Sequence, residues 1–359
     1  MFAVTLPKIA FVRIFAVACF IFSINTVFGQ IKPEFFPEDV LTDNQEANCF
    51  CEPGVVNKSR SKGLSIAYTR FFGGQYDTES ENGPEVGSSD LTSLNSFDFK
   101  LKVPLLLGEQ TRILLGYDYF FEQYDFEQTA GDFSETVGTL NNRALKSTGP
   151  SAIVSHSLNE KNYLIFRYKF SANGNYEGFI EFDGDNSVHN VFGLFGIKKN
   201  ENKEIGYGLL VSKNFRSTTV IPLFLYNHTF NANWGIETVL PANVFVRCNF
   251  DPLTLLVFGV EYNSRSFRVD VDETADPLGF AYNHSEIQAS LELERHINSW
   301  VWANLKVGYQ QNFGSEFETK NQFAPTFNAD IQNGLFIQAG VFVSPTTKEE
   351  IEHKHFNPK

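Results

Sequence analysis

The stretch SEIQASLELERHI, residues 285–297, alternates. Ile287, Ala289, Leu291 and Leu293 share one parity, and Glu286, Gln288, Ser290, Glu292 and Glu294 share the other. Successive side chains of a strand point to opposite faces, so this is an extended strand with one apolar side and one charged side. The same period recurs along the chain. Phe97, Phe99, Leu101, Val103 and Leu105 alternate with Asp98, Lys100 and Lys102. Ile113, Leu115, Tyr117, Tyr119 and Phe121 alternate with Arg112, Gly116, Asp118 and Glu122. Comparable runs follow around Phe166, Leu209, Val246 and Leu305, and Leu335, Ile337, Ala339, Val341 and Val343 close the series. Many of these runs are about 9–12 residues long, the length a tilted strand needs to cross a bilayer.

The connections alternate as well. Short ones fall at 108–110, 159–161, 200–202, 231–233, 251–252 and 297–299, most of them centred on Gly, Asn or Asp. Long ones fall at 73–94, 125–145, 173–187, 269–282 and 314–328. Short turns at one end and long loops at the other are the pattern of an outer-membrane barrel, and a soluble sandwich has no reason to follow it. The fold class expected is therefore all-β, an antiparallel transmembrane β-barrel. Six hairpins with a lone first strand (63–72) and a lone last strand (333–343) make 14 strands. Twelve is the alternative if Pro241 kinks one strand instead of separating two, or if the short 214–218 link is not an outer loop.

The first 29 residues have the form of a secretory signal peptide: Lys8 and Arg13, an apolar run from Ile14 to Ile24, then Val27 and Gly29 before Gln30. Cys19 lies inside the apolar run, which argues against lipidation there. Residues 30–61 are polar without a period and read as an N-terminal periplasmic extension, partly tucked into the barrel mouth. The barrel spans 62–343, and 344–359 is a polar tail. Many outer-membrane barrels end on an aromatic residue read by the insertion machinery; here Phe342 and Val343 are followed by the tail, so either insertion departs from the standard route or the signal is internal. Without its signal the chain holds 27 basic residues against 42 acidic ones, a net of −15, which excludes nucleic acid as a natural partner. The partners expected are membrane lipid and the outer-membrane insertion machinery, with any small-molecule ligand unknown.

On this reading the apolar parity meets lipid and the charged parity lines the lumen. The lumen-lining candidates are Lys100, Lys102, Arg112, Asp118, Glu122, Arg167, Lys169, Arg247, Glu261, Arg265, Glu286, Glu292, Glu294 and Lys306. They either pair across the barrel and block it, or line a watery channel in which an acidic arc (Glu286, Glu292, Glu294) faces a basic one (Lys100, Lys102, Arg167, Lys169). Tyr, Phe, Trp234 and Trp300 suit interfacial girdles. No cofactor, metal or catalytic set is expected. Ser155-His156-Ser157 and His284-Ser285-Glu286 place Ser beside His, but neighbours on a strand face opposite ways. The outer-membrane phospholipase pattern is not present intact. Asp183-Gly184-Asp185-Asn186 and Asp270-Val271-Asp272-Glu273 with Asp276 read as turn chemistry, and His353 and His355 as a solvated tail. Cys49, Cys51 and Cys248 are an odd set with no zinc-like spacing.

Three stretches, CFCEPGVVNKSRSKGLSIAY (49–68), WGIETVLPANVFVRCNF (234–250) and LLVFGVEYNSRSFRVD (255–270), resemble an uncharacterised outer-membrane β-barrel family of Bacteroidetes, a domain of unknown function. The resemblance covers most of 62–343. It implies an architecture and a compartment, and no catalytic residues. The function expected is a passive pore or small-solute translocation barrel; the alternative is a structural or surface-binding barrel with a plugged lumen, and a lipid-modifying enzyme is a minor third.

Overall fold

The computed structural model describes residues 53–80, 85–129, 139–141, 143–179, 186–215, 217–270, 280–298, 300–313, 315–319 and 327–344. The expected signal peptide (1–29), Cys49, Cys51, nearly all of both acidic loop clusters, His353 and His355, and the tail beyond Ser344 lie outside the described residues. Seventeen strand segments occur among the described residues. They are β1 (Leu64–Phe72), β2 (Gln75–Ser80), β3 (Glu85–Leu107), β4 (Thr111–Thr129), β5 (Leu145–Ser157) and β6 (Asn162–Gly174). Then come β7 (Ser187–Asn200), β8 (Lys203–Lys213), β9 (Thr218–Thr229), β10 (Trp234–Leu240), β11 (Asn243–Asp251) and β12 (Thr254–Val269). The last are β13 (Phe280–Asn298), β14 (Val301–Asn312), β15 (Ser315–Thr319), β16 (Phe327–Ile331) and β17 (Gly334–Val343).

Fourteen positions close into an antiparallel ring. From β3 to β14 each strand pairs with the next, β14 pairs with β17, β17 with β1, and β1 with β3. Three positions are broken in two. Above the breaks, β2 pairs with β3 and β16, and β15 pairs with β16 and β13, so the wall continues upward as β3, β2, β16, β15, β13. The β1–β2 break falls on Gly73 and Gly74. A Cβ at Gly73 would run into the Leu91 carbonyl, so the chain can pass this close only as glycine. Pro241 sits in the tight β10–β11 turn, which settles the number at 14.

All six short turns are where the sequence puts them, and their side chains explain why. Asn159 Oδ1 accepts the Lys161 and Asn162 N–H groups (2.9 and 3.0 Å), and Asn231 Oδ1 accepts those of Asn233 and Trp234 (both 2.9 Å). The long loops need correction. Much of 73–94 is β2 and β3, the start of 125–145 continues β4, and 314–328 contains β15. The β3–β4 register shifts at Ser89, Leu91 and Ser93, and such bulges erase the period-2 signal that would have revealed a strand.

One face of the ring is apolar and exposed: Leu105, Leu209, Val220, Phe258, Leu291 and Leu335 stand on it, with Trp234 and Trp300 beside short turns. The opposite face holds the charges, and it holds more. Leu114, Ile153, Ile165, Phe192, Leu194, Leu210, Leu225 and Val239 are buried on this inner face, paired in register across β4 to β10. An apolar band therefore runs along the inner wall over β4 to β10, among the polar and charged side chains of the same strands. The β11–β12 ladder stops midway along β12, where Asn243, the first residue of β11, pairs with Glu261 and Tyr262 N–H donates to Ala242 O (2.8 Å); the outer half of β12 lies beyond it. That half of β12 reaches instead across the lumen to β6.

Candidate functional site: the closed lumen

Two sets of contacts close the interior. At the long-loop end the crossing is made by β12 and β13. Asn175 N–H donates to Arg268 O (3.1 Å), Asn173 Nδ2 to Ser266 O (3.0 Å), and Asn214 Nδ2 to Ser266 Oγ (3.3 Å). The β6–β12 ladder is a single parallel pair, Arg268 with Gly174. Nearby, the Arg265 guanidinium meets Glu122 Oε2 of β4 at 3.3 Å, and the Tyr124 and Tyr282 hydroxyls meet at 3.1 Å. Tyr124 also donates to Glu122 Oε1 (2.6 Å). Aromatic and aliphatic side chains pack around these groups, among them Phe71, Tyr76, Phe120, Phe267 and Phe317.

At the short-turn end a strap, residues 53–62, follows the inner rim from β8 round to β1. Gly54 N–H donates to Glu204 Oε2 (2.7 Å). Arg247 Nη2 and Thr229 Oγ1 both donate to Val56 O (3.1 and 2.5 Å). Asn249 Nδ2 donates to Asn57 O, and Ser59 N–H to Glu237 Oε1 (2.8 Å). Arg60 lies over the Trp302 ring, 4.0 Å from its centre, and Lys62 meets Glu294 (2.7 Å) and Glu292 (3.4 Å). Burial works to lower the Lys62 pKa, but the two carboxylates more than reverse this and hold it above the ordinary range. The strap turns at Gly54 (φ 109°) and Asn57 (φ 58°), the residue types that reach left-handed backbone at least cost.

The sequence-derived candidates sit on this inner face as local pairs. Lys100 meets Asp98 (3.7 Å), Lys169 and Arg167 meet Asp118 (3.1 and 3.7 Å), and Arg247 meets Glu237 (2.9 Å). Lys306 meets Glu261, and Glu286 meets His284 (3.3 Å). Lys102 is buried and Arg112 half-buried. The acidic arc of Glu292 and Glu294 does not face Lys100, Lys102, Arg167 and Lys169 across water. Its partner is Lys62 of the strap. Glu204, Glu237, Lys62, Tyr124 and Tyr282 were not among the candidates: Glu204 lies on the polar parity of the alternating run around Leu209 and could have been found from it, Glu237 sits in a strand whose two faces differ little in polarity, and nothing local marks Lys62 as docked. Among the described residues no cluster could hold a metal ion. A depression of about 510 Å³ lies on the outer face between Phe166, Tyr207 and Leu209, away from these charges.

No curated protein matches the chain. Among solved structures it is similar to a FadL homologue of Pseudomonas aeruginosa, at 11% identity over 78% of this chain and 89% of that one, with a TM-score of 0.38. It is similar to an outer membrane channel from Pseudomonas putida F1, at 12% identity over 81% and 99%, TM-score 0.37. It is also similar to the toluene transporter TodX of Pseudomonas putida, at 8% identity over 79% and 89%, TM-score 0.30. Residues 123–343, more than half of the chain, match the family described as Domain of unknown function (DUF6268), and the chain belongs to that family.

Proposed function

We propose that the protein is an outer-membrane barrel that translocates small solutes and rests closed. The strands close into a ring, and its outward face is a belt of exposed apolar side chains, which is stable in hydrocarbon and not in water. The observation that carries translocation is the way the lumen is shut. The walls that meet at the outer end are six ring positions apart, and they are joined by one backbone pair, a few polar side chains and a packed cluster of buried apolar ones, rather than by a continuous ladder. Such a contact can part without unfolding the ring. An inner wall that combines an apolar band over β4 to β10 with charged pairs suits a small amphipathic solute better than a bulk water column.

The test is flux through the purified barrel in planar bilayers and in solute-loaded vesicles. The wild type should open rarely. Glu122→Gln with Tyr124→Phe, or removal of residues 53–61, should raise open time at least about tenfold, because a separation of 1.4 kcal/mol is a factor of ten. Absence of flux in all three would overturn the proposal. A second reading, a plugged barrel that binds through its outer loops, draws on the closure at both ends, and that null result would favour it.

A further inference from the structure

The inner face of the β13–β15 wall carries a serine, a histidine and a glutamate in relay. Ser315 Oγ lies 2.7 Å from His284 Nδ1, and His284 Nε2 lies 3.3 Å from Glu286 Oε2. Ser285, beside His284 in sequence, takes no part: it turns to the other face and donates to Ser264 Oγ (2.9 Å). Its place is taken by a serine 31 residues away, brought in by the pairing of β13 with β15. Glu286 also accepts from Gln288 Nε2 (2.9 Å) and Asn263 Nδ2 (3.3 Å), which fix its carboxylate. Tyr282 stacks on His284, and its hydroxyl meets that of Tyr124 at 3.1 Å.

We infer that Ser315, His284 and Glu286 form a nucleophile, base and orienting acid that hydrolyse a small carboxylic ester with an apolar acyl group. The inference rests on the translocation reading, because the three side chains are at most 3% exposed in the closed barrel. Their arrangement makes the dependence specific. All three belong to two adjacent strands of one wall, while part of their cover, Glu122 and Tyr124, belongs to the opposite wall. Parting the walls uncovers the serine without separating it from the histidine. Phe317 and Phe267, buried nearby, give the acyl group an apolar setting.

In the reaction Ser315 Oγ attacks the ester carbonyl and its proton passes to His284 Nδ1, with Glu286 stabilising the imidazolium. The C–O bond breaks and the alcohol leaves with that proton. Water then attacks the acyl-serine, gives its proton to His284, and the carboxylic acid departs as the proton returns to Ser315 Oγ.

The full-length barrel in detergent is treated with a fluorophosphonate, which reacts with activated serines, and separately with p-nitrophenyl butyrate. Ser315 should be the residue modified, and Glu122→Gln with Tyr124→Phe should speed its modification about tenfold by uncovering it. Ser315→Ala should abolish modification and lower ester turnover by about 10³-fold or more, and His284→Asn should do the same while the unfolding profile is kept. A merely structural histidine would leave modification untouched. If Ser315 is unmodified in both the wild type and the uncovered variant, the inference is overturned. Solute flux measured on the same preparation separates the two proposals: flux without modification removes the esterase alone, and modification without flux removes translocation alone.

Discussion

Arg247→Met is the most discriminating test of how the strap is held. Arg247 is fully buried and its Nε lies 2.9 Å from Glu237, whose side chain is about a tenth exposed. The same guanidinium donates to Thr229 Oγ1 (2.5 Å) and to Val56 O in the strap. Methionine removes the cation and leaves the Glu237 carboxylate in a buried site with only the Ser59 N–H and O–H as donors. Breaking a buried pair from one side costs about 3–5 kcal/mol, because the remaining charge has lost its solvent and its partner. Glu237→Leu should cost a similar amount for the mirror-image reason, since it leaves the guanidinium buried without its carboxylate. Replacing both, with Glu237→Leu and Arg247→Met, removes the desolvation problem and should be near neutral, apart from about 1 kcal/mol for the Ser59 hydrogen bonds. The double variant should therefore be more stable than either single one, with a coupling of roughly 2 kcal/mol or more. Reversible urea unfolding in lipid vesicles measures this, followed by the fluorescence of the three tryptophans, one of which, Trp302, lies under Arg60 of the strap. Single variants that each lose less than about 1 kcal/mol, with no coupling, would refute a buried ionised pair at this position.

Two further outcomes follow from the outer face and the strap. Leu291→Arg puts a guanidinium into the apolar belt, at a side chain now 43% exposed, and should cost about 2–4 kcal/mol in the same assay if the site is near the bilayer midplane; a neutral result would mean that water covers this face. Lys62, with its pKa raised, contributes its full stability below the ordinary value of 10.5 and loses it only as pH rises through the higher folded value. Protease protection of residues 53–62 should thus persist from neutral pH to about 10, and release of the strap by about pH 9 would contradict the pairing.

The ring was legible because its evidence is local. Alternation marks strands such as β13 and β14, and the Asn and Asp side chains that build the short turns lie within three residues of the groups they bind. Pro241 was ambiguous because a proline suits either a turn or a kink. β9, TTVIPLFLYNHT, is apolar on both parities from Val220 to Tyr226, so it carries no alternation and gave no hint that Ile221, Leu223 and Leu225 face inward. The closures were out of reach for a different reason. Arg265 with Glu122, Gly54 with Glu204 and Ser315 with His284 join residues far apart in sequence, and residue type alone says that such groups need partners without saying which.

The seam between β1 and β17 joins Leu64 to Val343, almost the full length of the ring's sequence. Until the last segment has been delivered, β1 and β14 each present an uncapped row of amide and carbonyl groups, a template for foreign pairing. The strap compounds the delay, since the carboxylates that hold it come from β8, β10 and β13, all built after it. The strap, built before the ring, therefore settles only once β13 is in place. Biogenesis has to chaperone both raw borders at once, and a molecule truncated anywhere before Gly334 would keep them open for good.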